Sequence, residues 1–423
     1  MKEKDGGKWL DSAARPRPYR LAVITPHVIQ YQAPLYRALA ARPEISLHVY
    51  FCSRWGIEQY RDPGFGKNFS WDRPLLEGYP HSFLRNVGWR SGPSTFFSLV
   101  NPAALGIVLS RRHDAVLVNG WSLATNWIAW AGSWLSGKPL LMRGESNGLQ
   151  EPAGLKGSVK RAAVKTFLAR SKGLLAIGAR NAEFYRSCGV SSKRIFLTPY
   201  AVDNSFFLGQ ALHHTGQKVA LRKSVGIPSD LPVILFSGKF QEKKRPLDLL
   251  RAFRIVREQT PAALVFVGDG ALRAELERFI EENQLKNVYL MGFRNQTEIA
   301  QFYALSDIFV LPSDFEPWGL VVNEAMCFGL PIVASDQVGA AADLVQEGVN
   351  GYIFPVGDVD ALAQRLVRLI QDTTLRQHMG EASERAISEW GLEHTVQGIL
   401  AALQHVAGRQ KVQVNETVGS SSH

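Results

Sequence analysis

A chain of 423 residues is too long for one ordinary hydrophobic core and long enough for two. Hydrophobic residues make up 46% and charged residues 20%, which excludes a disordered chain and a membrane bundle. The three cysteines, Cys52, Cys188 and Cys327, are too few and too scattered for a disulfide framework or a structural zinc site.

Charge is divided unevenly. Residues 1–200 hold 28 Lys+Arg against 12 Asp+Glu, whereas residues 201–423 hold 20 against 26. Eight of the ten tryptophans also lie in the first half, and a basic, aromatic half implies an anionic partner. No helix-turn-helix, zinc-finger or RNA-binding signature is present, so nucleic acid is not expected. The charged start (Lys2, Glu3, Lys4, Asp5) leads into no apolar signal segment, which argues against export. The most apolar stretch, Trp121 to Leu135, is too short to span a bilayer.

In chain order, residues 1–18 read as a disordered segment. Apolar runs predict strands at Arg20–Thr25 and Ser46–Phe51, with a helix at Gln32–Ala41 between them. Residues 52–95, rich in Gly, Pro and aromatics, read as a long ordered insertion bordering a binding site. Alternation resumes with helix 101–111, strand Ala115–Asn119, helix 122–135, strand Leu140–Arg143, helix 156–170, strand Gly173–Ile177, helix 179–187 and strand Ile195–Thr198. Residues 203–230 lack a clear pattern and read as a linker.

The second half repeats the scheme. Strands are predicted at Val233–Ser237, Ala263–Val267, Val288–Met291, Ile308–Leu311, Pro331–Ala334 and Gly351–Phe354, with amphipathic helices between them. Continuous apolar strands separated by such helices imply parallel sheets covered on both faces. The expected architecture is therefore α/β: two doubly wound Rossmann-like domains, residues 19–202 and 231–390, facing across a cleft. A helix within 391–410 bridges them, and residues 411–423 form a disordered tail. Ligands should bind beyond the carboxyl ends of the strands.

Two segments carry the chemistry. In FVLPSDFEPWGLVVNE, residues 309–324, a strand is followed by a loop with Glu316, and Gly319 then opens a helix bearing Glu324. Such a helix start offers free N–H groups and a positive dipole end to a diphosphate. Glu316 can accept hydrogen bonds from sugar hydroxyls, and Glu324 from the vicinal hydroxyls of a ribose. In SGKFQEKKRP, residues 237–246, Lys239 and Lys244 lie in a strand-end loop where two cations can neutralise a diphosphate. Three other signals are read as structural. Asp358 and Asp360 cap a helix, Gly268-Asp269-Gly270 turns a strand into a helix, and Cys188 and Cys327 are small packed residues.

Residues from about 232 to 370 resemble the donor half of GT-B, family-4-type retaining glycosyltransferases. The likeness rests on SGKFQEKKRP, VFVGDGALRAELE, the MGF turn at 291–293, ALSDIFVLPS, the E-x7-E pair Glu316/Glu324 and GLPIVAS. It implies transfer of a sugar from a nucleoside-diphosphate sugar to an acceptor hydroxyl, with retention and without a metal or other cofactor. The first domain would hold the acceptor and the second the donor. Gly238, Lys239 and Lys244 would hold the diphosphate; Glu316, Pro317 and the backbone at Trp318, Gly319 and Leu320 would contact sugar and phosphate. Glu324 would bind the ribose, and the base would lie at Met291–Phe293.

Two departures concern the acceptor side. The first strand-end loop, TPHVIQYQAP, has no glycine, although it offers His27, Gln30 and Tyr31. The strand end LMRGESN has Arg143 and Glu145 where many relatives carry a His, so Glu145, Arg143 or His27 takes that place. The expected acceptor is a saccharide, lipid-linked or small-molecule, in bacterial surface polysaccharide or glycolipid synthesis. Lys156, Lys160 and Lys165 suggest docking to an anionic membrane from the cytoplasmic side. A sugar-nucleotide epimerase and a non-catalytic relative are the alternative readings.

Overall fold

The computed structural model describes residues 17–408 except 58, 59, 63, 65, 66, 90, 91, 93 and 148–153. The segments expected to be disordered, 1–18 and 411–423, fall outside it apart from Arg17 and Pro18.

The first domain contains β1 (Tyr19–Thr25), α1 (Ala33–Ala40), β2 (Ile45–Phe51), β3 (Tyr60–Asp62), β4 (Lys67–Phe69), β5 (His81–Phe83), α2 (Ala103–Leu109) and β6 (Ala115–Asn119). It continues with α3 (Ala124–Ser136), β7 (Leu140–Arg143), α4 (Gly154–Arg170), β8 (Gly173–Ala176), α5 (Ala179–Ser187) and β9 (Ile195–Leu197). Seven strands form one parallel sheet in the order β5-β2-β1-β6-β7-β8-β9, while β3 and β4 pair as a separate antiparallel ribbon. The insertion 52–95 thus contributes an edge strand. Its three residues were illegible because their strand state depends on pairing with β2 rather than on their own pattern.

Residues 203–230, read as a linker, carry helical structure. They form α6 (Asn204–His213) and α7 (Lys218–Ser224). Phe207 of α6 is buried in the core of the second domain, and Lys218 and Arg222 of α7 both pair with Asp307, at 2.8 and 2.5 Å. The polar surface that hid these helices in the sequence is consumed by that ion-pair cluster.

The second domain has β10 (Val233–Ser237), α8 (Pro246–Gln259), β11 (Ala263–Val267), α9 (Arg273–Glu282), β12 (Val288–Leu290), α10 (Gln296–Leu305) and β13 (Ile308–Leu311). There follow α11 (Leu320–Met326), β14 (Ile332–Ser335), α12 (Ala341–Leu344), β15 (Gly351–Phe354), α13 (Val359–Gln371) and α14 (Thr373–Ser388). Its parallel sheet runs β12-β11-β10-β13-β14-β15. Asp358 caps α13 by accepting from the Ala361 N–H at 2.8 Å, as the sequence predicts. In both sheets the winding reverses beside the first strand, between β1 and β6 and between β10 and β13. Those switch points open crevices at the strand ends.

The last helix, α15 (Leu392–Ala407), returns to the first domain. Its Val396, Ile399, Ala402 and Leu403 are fully buried in that domain's core, with Leu175 and Leu141. A Cβ on Gly398 would collide with the Leu197 carbonyl, so glycine allows α15 to lie directly on β9. Among the described residues no helix is long and apolar enough to cross a membrane. Truncating Ile399 to Ala should cost about 2–5 kcal/mol of stability in urea unfolding, because the cavity opens inside the first domain. A cost below about 0.5 kcal/mol would show that α15 is an accessory to that core.

Candidate functional site

The loops at the carboxyl ends of the two sheets meet, and two hollows lie along the seam. The larger, 390 Å³, is lined by Pro26 and Ile29 after β1, Asn119 to Ser122 after β6, Arg143 to Ser146 at and after β7, and Ile177 and Tyr200. Phe315 of the second domain closes it. Its polar floor is held by a web centred on Gln32. Thr25 and Tyr36 hydroxyls donate to Gln32 Oε1 at 3.1 and 2.7 Å, and Asn119 Nδ2 donates to Thr25 Oγ1 at 3.0 Å. Arg143 is buried, donates from Nη2 to the Thr198 and Pro199 carbonyls at 3.3 and 3.5 Å, and lies 4.9 Å from the Tyr200 ring centre. Its Nε has no hydrogen-bond partner. The Tyr200 hydroxyl donates to Glu145 Oε1 at 2.8 Å. Arg143 and Glu145 therefore share one wall of one hollow, joined through Tyr200.

His27 is elsewhere. It packs edge-on against Trp55, with ring centres 4.6 Å apart, and does not line the hollow. Burial lowers it to about 4, so it is neutral at pH 7 and serves packing. Of the three residues expected in the place of the acceptor-side His, Arg143 and Glu145 line this hollow and His27 does not.

The smaller hollow, 100 Å³, lies beside α11 and is lined by Gly238, Gly268, Phe293 to Gln296, Val321 and Glu324, with Gln30, Tyr31 and Trp71 of the first domain. Glu324 is not an open acceptor. It is 2% exposed, with Oε1 accepting from the Tyr31 hydroxyl at 2.9 Å and Oε2 from the Tyr303 hydroxyl at 2.7 Å. Burial raises its carboxyl to about 7, and the two tyrosine hydrogen bonds oppose that rise.

Between the hollows stands the start of α11. Gly319 has φ 97°, and a Cβ there would meet Leu311 and Glu316 at 3.0 and 3.1 Å, so both backbone and space demand glycine. Lys244 Nζ pairs with Glu316 Oε2, both side chains largely buried. Burial, followed by the neighbouring ammonium groups of Lys243 and Lys239, depresses Lys244 to about 7. Lys239 reaches the first domain, where a Cβ on Gly64 would stand 2.5 Å from its Cδ. The Trp318 side chain is buried, stacked on Trp390 at 5.6 Å, which leaves only its backbone for a ligand. Met291 packs on the second core and stays out of the hollow that Phe293 lines, while Pro317 and Leu320 are half-buried beside Gly319. Among the described residues no group of three or more His, Cys, Asp or Glu side chains could hold a metal.

Sequence reasoning missed Tyr200, Tyr303 and Trp71. Tyr200 stands just past a strand end and was findable there. Tyr303 sits mid-helix among apolar neighbours, and nothing local marks it. The raised Glu324 pKa favours the folded state while the carboxyl is protonated, so its contribution is complete below about pH 4.5 and is lost as pH rises through about 7. Urea unfolding should show wild type losing on the order of 1–3 kcal/mol relative to Glu324→Gln between pH 5 and 8. Parallel pH profiles would contradict that account.

Residues 217–386 match the sequence model of the family Glycosyl transferases group 1. N-acetyl-alpha-D-glucosaminyl L-malate synthase of Bacillus anthracis is 28% identical over 184 residues, 43% of this chain and 48% of that protein. The matched stretch spans about half or less of the length of such relatives. Across the whole fold, a glycosyltransferase of Rickettsia africae ESF-5 superposes with TM-score 0.71 at 16% identity, covering 93% of this chain and all (100%) of that one. HepE of Anabaena in complex with UDP does so with TM-score 0.70 at 18% identity, covering 91% and 99%. The chain has the two-lobed GT-B fold, and its residues 217–386 form a glycosyl transferases group 1 domain.

Proposed function

We propose that this protein transfers a sugar from a nucleoside-diphosphate sugar to an acceptor hydroxyl, with retention of configuration. The observation that carries the reading is the buried Lys244–Glu316 pair at the glycine start of α11, set between two hollows built by opposite lobes. Lys244, Lys239 and the N–H groups at Gly319 and Leu320 neutralise the charge that grows on the departing diphosphate. Glu316, relieved of part of its lysine contact by that diphosphate, accepts hydrogen bonds from hydroxyls of the transferred sugar. The acceptor occupies the 390 Å³ hollow, with Arg143, Glu145 and the Gln32 web orienting its hydroxyls. Attack from the face the diphosphate leaves needs no protein nucleophile, and the two lysines take the part a metal plays elsewhere. The HepE structures in complex with UDP and with UDP-glucose make UDP-sugars the first donors to test.

A second reading concerns where the acceptor is met. Helix α3 has no charged residue and exposes Trp134 and Leu135, at 63% and 66%. The only charged side chains in the α4 sequence are cations. Between them Lys138, Arg170, Lys172 and Arg194 surround a 430 Å³ hollow whose lining contains no acid. Tryptophan beside clustered cations fits the interface of an anionic membrane, and this face would bring a lipid-linked acceptor to the protein at the cytoplasmic surface. Lys160 lies 5.3 Å over the Trp121 ring at the rim of the larger hollow, which links the face to the site; the side chain of Lys156 lies outside the described residues.

Lys244→Ala should lower turnover at least about a hundredfold while the circular dichroism spectrum stays native; turnover within a few-fold of wild type would refute the site. Wild type should sediment with vesicles containing phosphatidylglycerol, and joint replacement Trp134→Ala, Lys165→Gln and Arg170→Gln should abolish this. Unchanged sedimentation of the triple variant would dismiss the docking face.

A further inference from the structure

The insertion before β5 does more than border the acceptor side. Residues 70–73 leave the first lobe and grip the second at three places. Asn295 Nδ2 donates to the Ser70 carbonyl at 2.8 Å. The Thr297 N–H and hydroxyl both donate to Asp72 Oδ2, at 2.9 and 2.5 Å. Arg73 pairs with Asp203 at 3.0 Å and lies 4.0 Å over the Phe206 ring. Asp72 thus supplies an acid from one lobe to the first turn of α10 in the other, where the helix dipole favours it.

Trp71 stands between these anchors and forms part of the wall of the 100 Å³ hollow, with Phe293. Gly238 and Gly268, which have no side chains, line the same hollow. The polar groups at its border are Asn295, Glu324 and Gln30, whose Oε1 is buried and has no hydrogen-bond partner. Aromatic walls with hydrogen-bonding groups at the border suit a planar heterocycle, which offers π-faces to the rings and polar edges to the amides. The Tyr31–Glu324 hydrogen bond borders the same hollow.

We propose that Ser70–Arg73 is a strap that closes over the nucleobase of the donor, with Trp71 stacking on the base and Gln30 Oε1 accepting from its edge or from the ribose. The proposal rests on the sugar-transfer reading and adds to it that the nucleotide site is completed by the opposite lobe. Donor affinity therefore depends on lobe closure: the diphosphate is held by the second domain alone, whereas the base is held by both.

The test is calorimetric titration of the full chain with UDP, GDP, ADP and dTDP, using wild type, Trp71→Ala, Trp71→Phe and Thr297→Ala. For the diphosphate that wild type binds best, Trp71→Ala should raise Kd about tenfold or more. Trp71→Phe should recover most of the loss, and Thr297→Ala, which loosens the strap from the far lobe, should raise Kd several-fold. Thermal unfolding of the unliganded variants controls for damage, and Thr297→Ala keeps the test decisive if Trp71→Ala does not fold. Nucleotide binding within twofold of wild type in the folded variants overturns the strap and leaves the donor reading standing. Binding of none of the four nucleotides by wild type overturns both.

Discussion

A buried ammonium needs a counter-charge, and the cleft is organised around one. Lys244 sits at the end of the β10 loop and Glu316 at the end of the β13 loop, and their contact locks together the two loops that flank the switch point of the second sheet. Removing one partner of such a pair typically costs about 3–5 kcal/mol, because the other is left uncompensated away from water. The same two side chains hold the loops in register.

The two lobes meet through polar contacts and through Ile177, Tyr200 and Val202 of the first lobe, which are buried in the core of the second. Tyr31 donates to Glu324, the Ala179 N–H to both oxygens of Asp343 at 3.0 Å, and Asn323 to the Tyr200 carbonyl at 3.2 Å. Each is individually modest, on the order of 1 kcal/mol, so the seam can open without unfolding either domain. Beyond these, α15 returns to bury its apolar face in the first domain.

Electrostatics differ between the lobes for reasons of position. The second domain gathers Lys239, Lys243, Lys244 and Arg245 in one loop within a net acidic half of the chain. In the first domain Lys138, Arg170, Lys172 and Arg194 gather beside the exposed Trp134 of α3. Focused charge suits a small polyanion, and spread charge suits an extended anionic surface.

The strands were legible because parallel strands buried on both faces must be continuous apolar runs; Val233–Ser237, Ile308–Leu311 and Gly351–Phe354 have the predicted bounds. Gly319 and Glu316 were legible because a helix start needs particular residue types at particular steps. Three things were decided only in three dimensions. Residues 203–230 hold α7, whose Lys218 and Arg222 pair with the half-buried Asp307, residues 85 and more apart. Glu324, read as an open acceptor, is closed by a tyrosine from the other lobe. Trp71, in a segment without periodicity, reaches the smaller hollow through hydrogen bonds from residues 225 positions away. Local pattern records what a residue needs from its neighbours in the chain; what it meets across a cleft is set by how two separately folded lobes come to face each other.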